Sequence, residues 1–450
     1  MVTHSLFTKK PVADLNGMYG LHDRRAKIPW LWIAFLFLML LIFTASTPFM
    51  FYWPMEELLG QHFKGGIAAG IEHLQAGNPK RRAGMVVLFI CSLIIIGRTK
   101  NRLQVNDFLG CTLIFYWSWI LLSLTWSIDP SYTIRRLAVV FIVWFSAFAM
   151  ASRFTLRQLA TLAVFITGFT LLIGIGNELR LGTFDLAREK WRFSGVLHCV
   201  SMGWNCGILA LSAIFLVTDE KRKKVWFILW SIIITAIVFL LLTKTRTAVG
   251  AAIVSIGFYW FKAVSAPRKV FMVLGIIILL SASYVTLGQR LFYYGEEAST
   301  LGRGEAAKST VSSLTGRLPL WNYCFKFAAE RPIQGYGFSS FINAETIEEI
   351  YVNVGWAPSS IHSGYVNELM GTGFIGMGAL ISMLIFALKR ALYLAKQNPA
   401  YLYPASAVIW LSFNLFLETT LIIGTSFMAF WGMMLLTKLA FLPAEEPKQQ

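Results

Sequence analysis

TGRLPLWNYCFKFAAERPIQGYGFSSF (Thr315–Phe341) and, further on, IHSGYVNELMGTGFIGMG (Ile361–Gly378) stand out in a chain that is otherwise nearly all apolar runs. Most of this stretch lies in the longest weakly hydrophobic interval between such runs, which opens at Gln289 and closes near Ser363. It gathers Arg317, Arg331, His362 and Glu368, residue types that bind anions or move protons. A long loop carried by many spans is where a membrane protein keeps its chemistry.

Working outward, composition sets the class. The 450 residues are 56% hydrophobic, 15% aromatic and only 14% charged, with mean hydropathy +0.61. Soluble domains carry about 25% charged residues, so this chain cannot cover its surface in water. The net charge of +17 does not point to nucleic acid, because the basic residues sit in short clusters between apolar runs, such as Lys221–Lys224 and Arg24-Arg25 with Lys27. That is the pattern of anchors beside anionic lipid headgroups. The five cysteines show no CxxC or Cys/His ligand spacing and no disulfide framework.

Residues 1–28 are polar and basic, without an h-region and cleavage site, and read as a cytoplasmic tail. Spans of about 20 apolar residues follow at Leu31–Thr47, Ala83–Gly97, Phe108–Trp126, Leu137–Ala151, Leu159–Ile175 and Cys199–Val217. They continue at Val225–Leu242, Thr247–Val264, Val270–Leu287, Tyr365–Leu388, Leu402–Leu417 and Leu421–Leu442, twelve in all. With the amino terminus inside, the short loops after spans six, eight and ten are cytoplasmic and carry Lys221–Lys224, Arg268-Lys269 and Lys389-Arg390 with Lys396. The loop after span eleven has no Lys or Arg and holds Glu418. This arrangement follows the positive-inside rule, and it places the long interval after span nine outside.

Within that frame a few residues can carry chemistry. Span seven ends LLLTKTRTAVGAA, so Lys244 and Arg246 stand between two spans with almost no loop. Such cations either snorkel or meet an anion. On the exterior side positive charge is disfavoured, which weighs toward the anion, and the planar fork of arginine suits phosphate oxygens. Arg317 opens a predicted helix, LPLWNYCFKFAAE, with Thr315 as a cap and Pro319 in the first turn; a solvated helix-end arginine would look the same. Gln334-Gly335-Tyr336-Gly337 suits a turn with φ > 0 and close backbone approach. His362 is the one histidine between spans nine and ten, and imidazole as a residue type serves as a general base near neutral pH; a packed interfacial histidine is the plainer alternative. Tyr365 and Asn367 are further polar candidates, and KWRFSGVLHC (Lys190–Cys199) adds Arg192 and His198 in second rank.

Absences narrow the chemistry. No GxxxxGK[ST] appears, which argues against an ATP-driven pump. The six aspartates form no DxD, and none lies between Gly288 and His362, so a metal site for nucleotide sugars lacks its usual ligands. No clear duplicated half with broken spans, the common mark of a secondary transporter, is visible.

Taken together, TKTRTAVG (Thr243–Gly250), the Thr315–Phe341 stretch and HSGYVNELMGTGFIGMG (His362–Gly378) resemble the O-antigen ligase and polymerase superfamily. RFSGVLHC (Arg192–Cys199) looks like an earlier segment of that family, with Cys-Val-Ser where many members have Pro-Asn. The resemblance implies an all-α polytopic membrane protein, GT-C-like, with about twelve transmembrane helices and a large periplasmic loop between the ninth and tenth. Residues 1–28 and 443–450 would be cytoplasmic tails, 29–288 the first nine helices, 289–363 the periplasmic loop, and 364–442 the last three. It further implies a glycosyltransferase of the bacterial inner membrane, with its active site facing the periplasm. The donor would be a polyprenyl (undecaprenyl) diphosphate-linked glycan and the acceptor a glycan or lipid A core, with inversion, no metal and no cofactor. Arg246 and Arg317 would hold the diphosphate and His362 would activate the acceptor hydroxyl, with Lys244, Arg192, Tyr365 and Arg331 as substrate-binding residues. Membrane lipid and other polysaccharide-assembly proteins are the expected partners; nucleic acid is not. Repeat-unit polymerisation by the same chemistry, a polyprenyl-linked glycan flippase, and a structural membrane subunit remain as alternatives.

Overall fold

The computed structural model describes residues 79–97, 103–105, 108–186, 191–218, 220–263, 317–354, 360–419, 421 and 426–443. The expected spans Leu31–Thr47 and Val270–Leu287, the amino-terminal tail, residues 289–316 of the long loop and residues 444–450 lie outside them. The helices are α1 (Pro79–Gly97), α2 (Phe108–Leu122), α3 (Pro130–Arg153), α4 (Leu156–Leu181), α5 (Cys199–Thr218), α6 (Lys223–Leu242) and α7 (Arg246–Ala263). After the gap come α8 (Arg317–Glu330), α9 (Ala344–Val354), α10 (Gly364–Ala395), α11 (Leu402–Leu417) and α12 (Phe427–Ala440). A 3-10 turn extends α2 to Trp126, and another precedes α11 from Pro399. Among the described residues seven of these helices, α2 to α6, α10 and α11, are long and apolar enough to cross a membrane, the two 3-10 turns counted with theirs. The protein is an all-α polytopic membrane protein. One short addition was not expected: β1 (Leu103–Val105) pairs antiparallel with β2 (Phe441–Pro443).

Local signals explain the helix ends. Asp129 caps α3, its Oδ1 accepting the Tyr132 amide at 2.9 Å, with Pro130 at the first helical position. Thr155 and Gln158 form a reciprocal capping box on α4, which stops at left-handed Gly182. The apolar surface then sorts the helices. α6 turns Phe227, Ile228 and Ile234 outward, each more than half exposed, as a lipid-facing helix does. α5 is buried along nearly all its length, packed against α4, α6, α7, α11 and α12. One polar set inside this core is mutually paired: Tyr403 bonds Ser212 at 2.9 Å and accepts the Trp431 indole N–H at 2.8 Å. Hydrocarbon offers such groups no other partner.

The tenth span departs from the sequence reading most usefully. Expected as Tyr365–Leu388, it runs from Gly364 to Ala395 and breaks at Gly373, which takes φ 69° and ψ −168°. The chain from Pro332 to Phe338 docks into the break. Tyr336 N–H donates to Met370 O at 2.9 Å, Gly337 N–H to Gly371 O at 2.8 Å, and Phe374 N–H to Pro332 O at 2.8 Å. Indole N–H groups complete the seam, Trp119 to Thr372 O and Trp126 to Gln334 O, both at 2.9 Å. Gly335 and Gly337 take the positive φ expected of that turn. Two further elements differ from the sequence reading or extend it. α9 was not anticipated, and within the span expected as Leu421–Leu442 the described helix α12 opens at Phe427, where the Ser426 hydroxyl accepts the Ala429 amide, residues 422–425 lying outside the described residues.

A side chain at Gly373 would be left-handed, at a cost of about 1–2 kcal/mol, and its Cβ would fall 2.1 Å from Ile333 O. Gly373→Ala is therefore expected to lower the thermal unfolding midpoint of the detergent-purified protein. An unchanged midpoint would show that the break is not held by this seam.

Candidate active site

The site is built from helix ends at one pole of the bundle: the starts of α5, α7, α8 and α10 and the ends of α6 and α11. The α6–α7 connection is only Thr243-Lys244-Thr245, and Lys244 makes the reversal in the left-handed region at φ 49°. Arg246 is therefore the first residue of α7. Arg317 is the first residue of α8, and one turn later Trp321 donates its indole N–H to Ile361 O at 2.9 Å. That bond links the helix of Arg317 to the residue before His362. His362 itself is left-handed at φ 53°, and Ser363 then caps α10 through the Val366 amide. Backbone strain of this kind persists where surroundings over-determine it, often at functional sites.

Glu418, at the end of α11, joins the two. Its Oε1 accepts an Arg317 guanidinium N–H at 2.7 Å, and its Oε2 lies 4.0 Å from His362 Nδ1. All three are partly shielded, with side-chain exposures of 17% for Arg317, 28% for His362 and 10% for Glu418. Arg246 lies in the fields of Arg317 and Arg192. Arg192 bonds Thr243 O from Nε at 3.0 Å and Thr245 Oγ1 at 3.2 Å. His198 is within electrostatic reach of Arg192, Glu418 and His362. Protein packed around it and then the Arg192 guanidinium hold its imidazole below the ordinary histidine value, while Glu418 pulls the other way. Among the described residues three arginines, two histidines and one carboxylate thus share this pole. Among the described residues no group of three or more His, Cys, Asp or Glu is arranged to hold a metal ion.

Of the residues singled out from sequence, the structure brings together Arg192, Arg246, Arg317, His198 and His362, with Lys244 adjoining Arg246 in the turn. Tyr365 is the second residue of α10, its hydroxyl donating to Ser412 O at 3.1 Å. Arg331 stands apart, over the Tyr336 ring at 5.0 Å, at the far end of the 14-residue α8, a length of about 20 Å. Asn367 and Glu368 lie further down α10, Glu368 buried and bonded to Thr372 at 2.6 Å. Glu418 was not proposed for the site from sequence. Its signal was a lone carboxylate ending an apolar span on the same side, by span parity, as Arg246 and His362.

The fold and the charged pole define a class: a multi-pass membrane protein with a cationic, histidine-bearing site at its helix ends. A family model described as O-antigen ligase matches residues 231–381, a range that includes Arg246, Arg317 and His362 and leaves out Arg192, His198 and Glu418. The match bears out the resemblance to the O-antigen ligase and polymerase superfamily over those residues. No match to a curated protein was found.

The Glu418 carboxylate raises the proton affinity of His198, so Glu418→Gln should shift the His198 titration to lower pH. Diethyl pyrocarbonate attacks the neutral ring, and its rate at His198, followed by peptide mass spectrometry against pH, reads this directly. A midpoint that stays in place or rises would remove Glu418 from the cluster.

Proposed function

We propose that the protein transfers a glycan from a polyprenyl diphosphate carrier to a sugar hydroxyl, at the periplasmic face of a bacterial inner membrane. The observation that carries this reading is the meeting of Arg246, Arg317 and Arg192 with His362 and the carboxylate of Glu418. A diphosphate carries paired oxygens that arginine forks match. The acceptor oxygen forms its bond to the anomeric carbon as the bond to the diphosphate oxygen breaks, and the electron pair leaves with the diphosphate. Charge grows there in the transition state, so the arginines stabilise it more than the ground state. His362 takes the acceptor proton, and Glu418, near Nδ1, offsets the imidazolium that forms. Attack opposite the leaving group inverts the anomeric carbon. The cations do the work that a metal does in nucleotide-sugar enzymes, and we assign no metal to the reaction. The polyprenyl tail lies along the apolar helix faces.

Purified protein supplied with a polyprenyl diphosphate glycan tests this, with lipid A core or a second glycan as acceptor to separate ligation from polymerisation. Arg246→Lys and Arg317→Lys keep the charge but lose the fork, and each should cut turnover at least about tenfold while the protein still folds. His362→Ala should retain donor binding and lose about 10²- to 10⁴-fold in rate. Full activity in both lysine variants, or in His362→Gln, would reduce those residues to packing and anchoring roles.

A further inference from the structure

The loop that carries Arg192 is held by a buried carboxylate outside the charged cluster. Glu178, near the end of α4, is fully buried, and its Oε1 accepts two successive backbone N–H groups, Ser194 at 2.9 Å and Gly195 at 2.7 Å. Paired amides of this kind form a concavity for an anion, and bonds to a carboxylate are the stronger sort. The neighbouring Asn177 donates to Gly195 O at 3.2 Å, so both backbone polar groups of Gly195 are held. Gly195 is left-handed at φ 62°, and a Cβ there would lie 2.7 Å from Gly174 Cα, so the loop sits directly on the α4 backbone. On its other side Phe193, buried, donates its N–H to Leu242 O at 3.0 Å.

From this socket the chain of contacts runs outward. Arg192, one residue before Phe193, bonds Thr243 O and Thr245 Oγ1. Thr245 Oγ1 in turn donates to Cys199 O at 3.2 Å. Thr245 immediately precedes Arg246, and its carbonyl accepts the Val249 amide in the first turn of α7. We infer that Glu178 is a positioning residue for Arg246: it fixes the Phe193–Gly195 loop, and through Arg192 and Thr245 it sets where the guanidinium of Arg246 stands. Glu178 touches no substrate. That the positioned arginine grips a diphosphate rests on the function proposed above; that it is positioned does not.

Two readouts separate those statements. Phenylglyoxal modification of Arg246, followed by peptide mass spectrometry on the intact purified protein, reports the setting of the guanidinium without any assay of transfer. Glu178→Leu removes the acceptor, Glu178→Asp keeps the charge but withdraws it by one methylene, and Glu178→Gln keeps an oxygen able to accept both amides. The Asp variant is expected to change the Arg246 modification rate severalfold and the Gln variant to leave it near wild type; Leu should act as Asp or more strongly. An Arg246 rate unmoved by Asp, or moved equally by Gln, overturns the inference whatever the activity, and Asp carries the test if Leu fails to fold. In the transfer assay Glu178→Asp should raise KM for the polyprenyl diphosphate donor about tenfold, leave KM for the acceptor in place, and add little in an Arg246→Lys background. Losses that multiply in the double variant overturn the relay through Arg246. A changed modification rate combined with full activity of Arg246→Lys would leave the positioning intact and sink the diphosphate reading instead.

Discussion

A helix broken inside a membrane bundle must find partners for the backbone groups it frees, because hydrocarbon supplies none. At Gly373 those partners are the amides of Tyr336 and Gly337, the carbonyl of Pro332 and the indole of Trp119. The same seam holds both halves of the charged pole. Upstream of the break, two turns of α10 lead back to His362; upstream of the docking segment, α8 leads back to Arg317. A single set of backbone bonds therefore sets the distance between the imidazole and the guanidinium, and Trp321 on Ile361 O closes the frame at its other end. Glu418 then meets two groups whose separation is already decided.

The membrane class was legible because burial in lipid imposes length and composition, and both can be read from one sequence. The spans that became α5, α6, α7 and α11, and α2 with its 3-10 turn, were placed within two residues, whereas α3 begins seven residues before the expected Leu137 and α4 runs six past Ile175. The break in α10 was not legible. Gly371, Gly373, Gly376 and Gly378 all lie in an apolar run, and nothing local marks which of them reverses the backbone; the partner segment, more than thirty residues upstream, makes that choice. α9 was missed for a related reason, since its amphipathic pattern falls in a stretch read only as loop. Arg246, Arg317 and His362 were visible as polar residues where apolar ones were due. Glu418 was visible too, but its meaning is a distance, 2.7 Å to Arg317, between residues 101 positions apart. Arg331 shows the opposite error: a loop arginine near the motifs that spends its charge on the Tyr336 ring.

Charge is distributed unevenly between the site and its supports. Among the described residues the charged pole holds more cations than its one carboxylate, Glu418, a balance that suits an anionic ligand under the function proposed above. The other buried carboxylates, Glu178 and Glu368, lie behind this pole and bond neutral partners, backbone amides in one case and Thr372 in the other. Neither neutralises an arginine of the cluster. Positive potential is thus preserved toward the ligand while the scaffold still uses carboxylate bonds for rigidity.

The short β1–β2 pair bears on the order of events in the life of the chain. α12 packs against α3, α5 and α11, and β2 clasps a strand that precedes α2. Lys438 of α12 donates to Ala151 O at the end of α3, at 3.0 Å, and Trp431 completes the Tyr403 pair. During synthesis every one of these early elements reaches the membrane before the helix that covers it has been made. Because α12 is made after the helices it covers, the buried helix α5 stays partly unwrapped until translation has passed residue 443, and insertion and closure are separate steps in time.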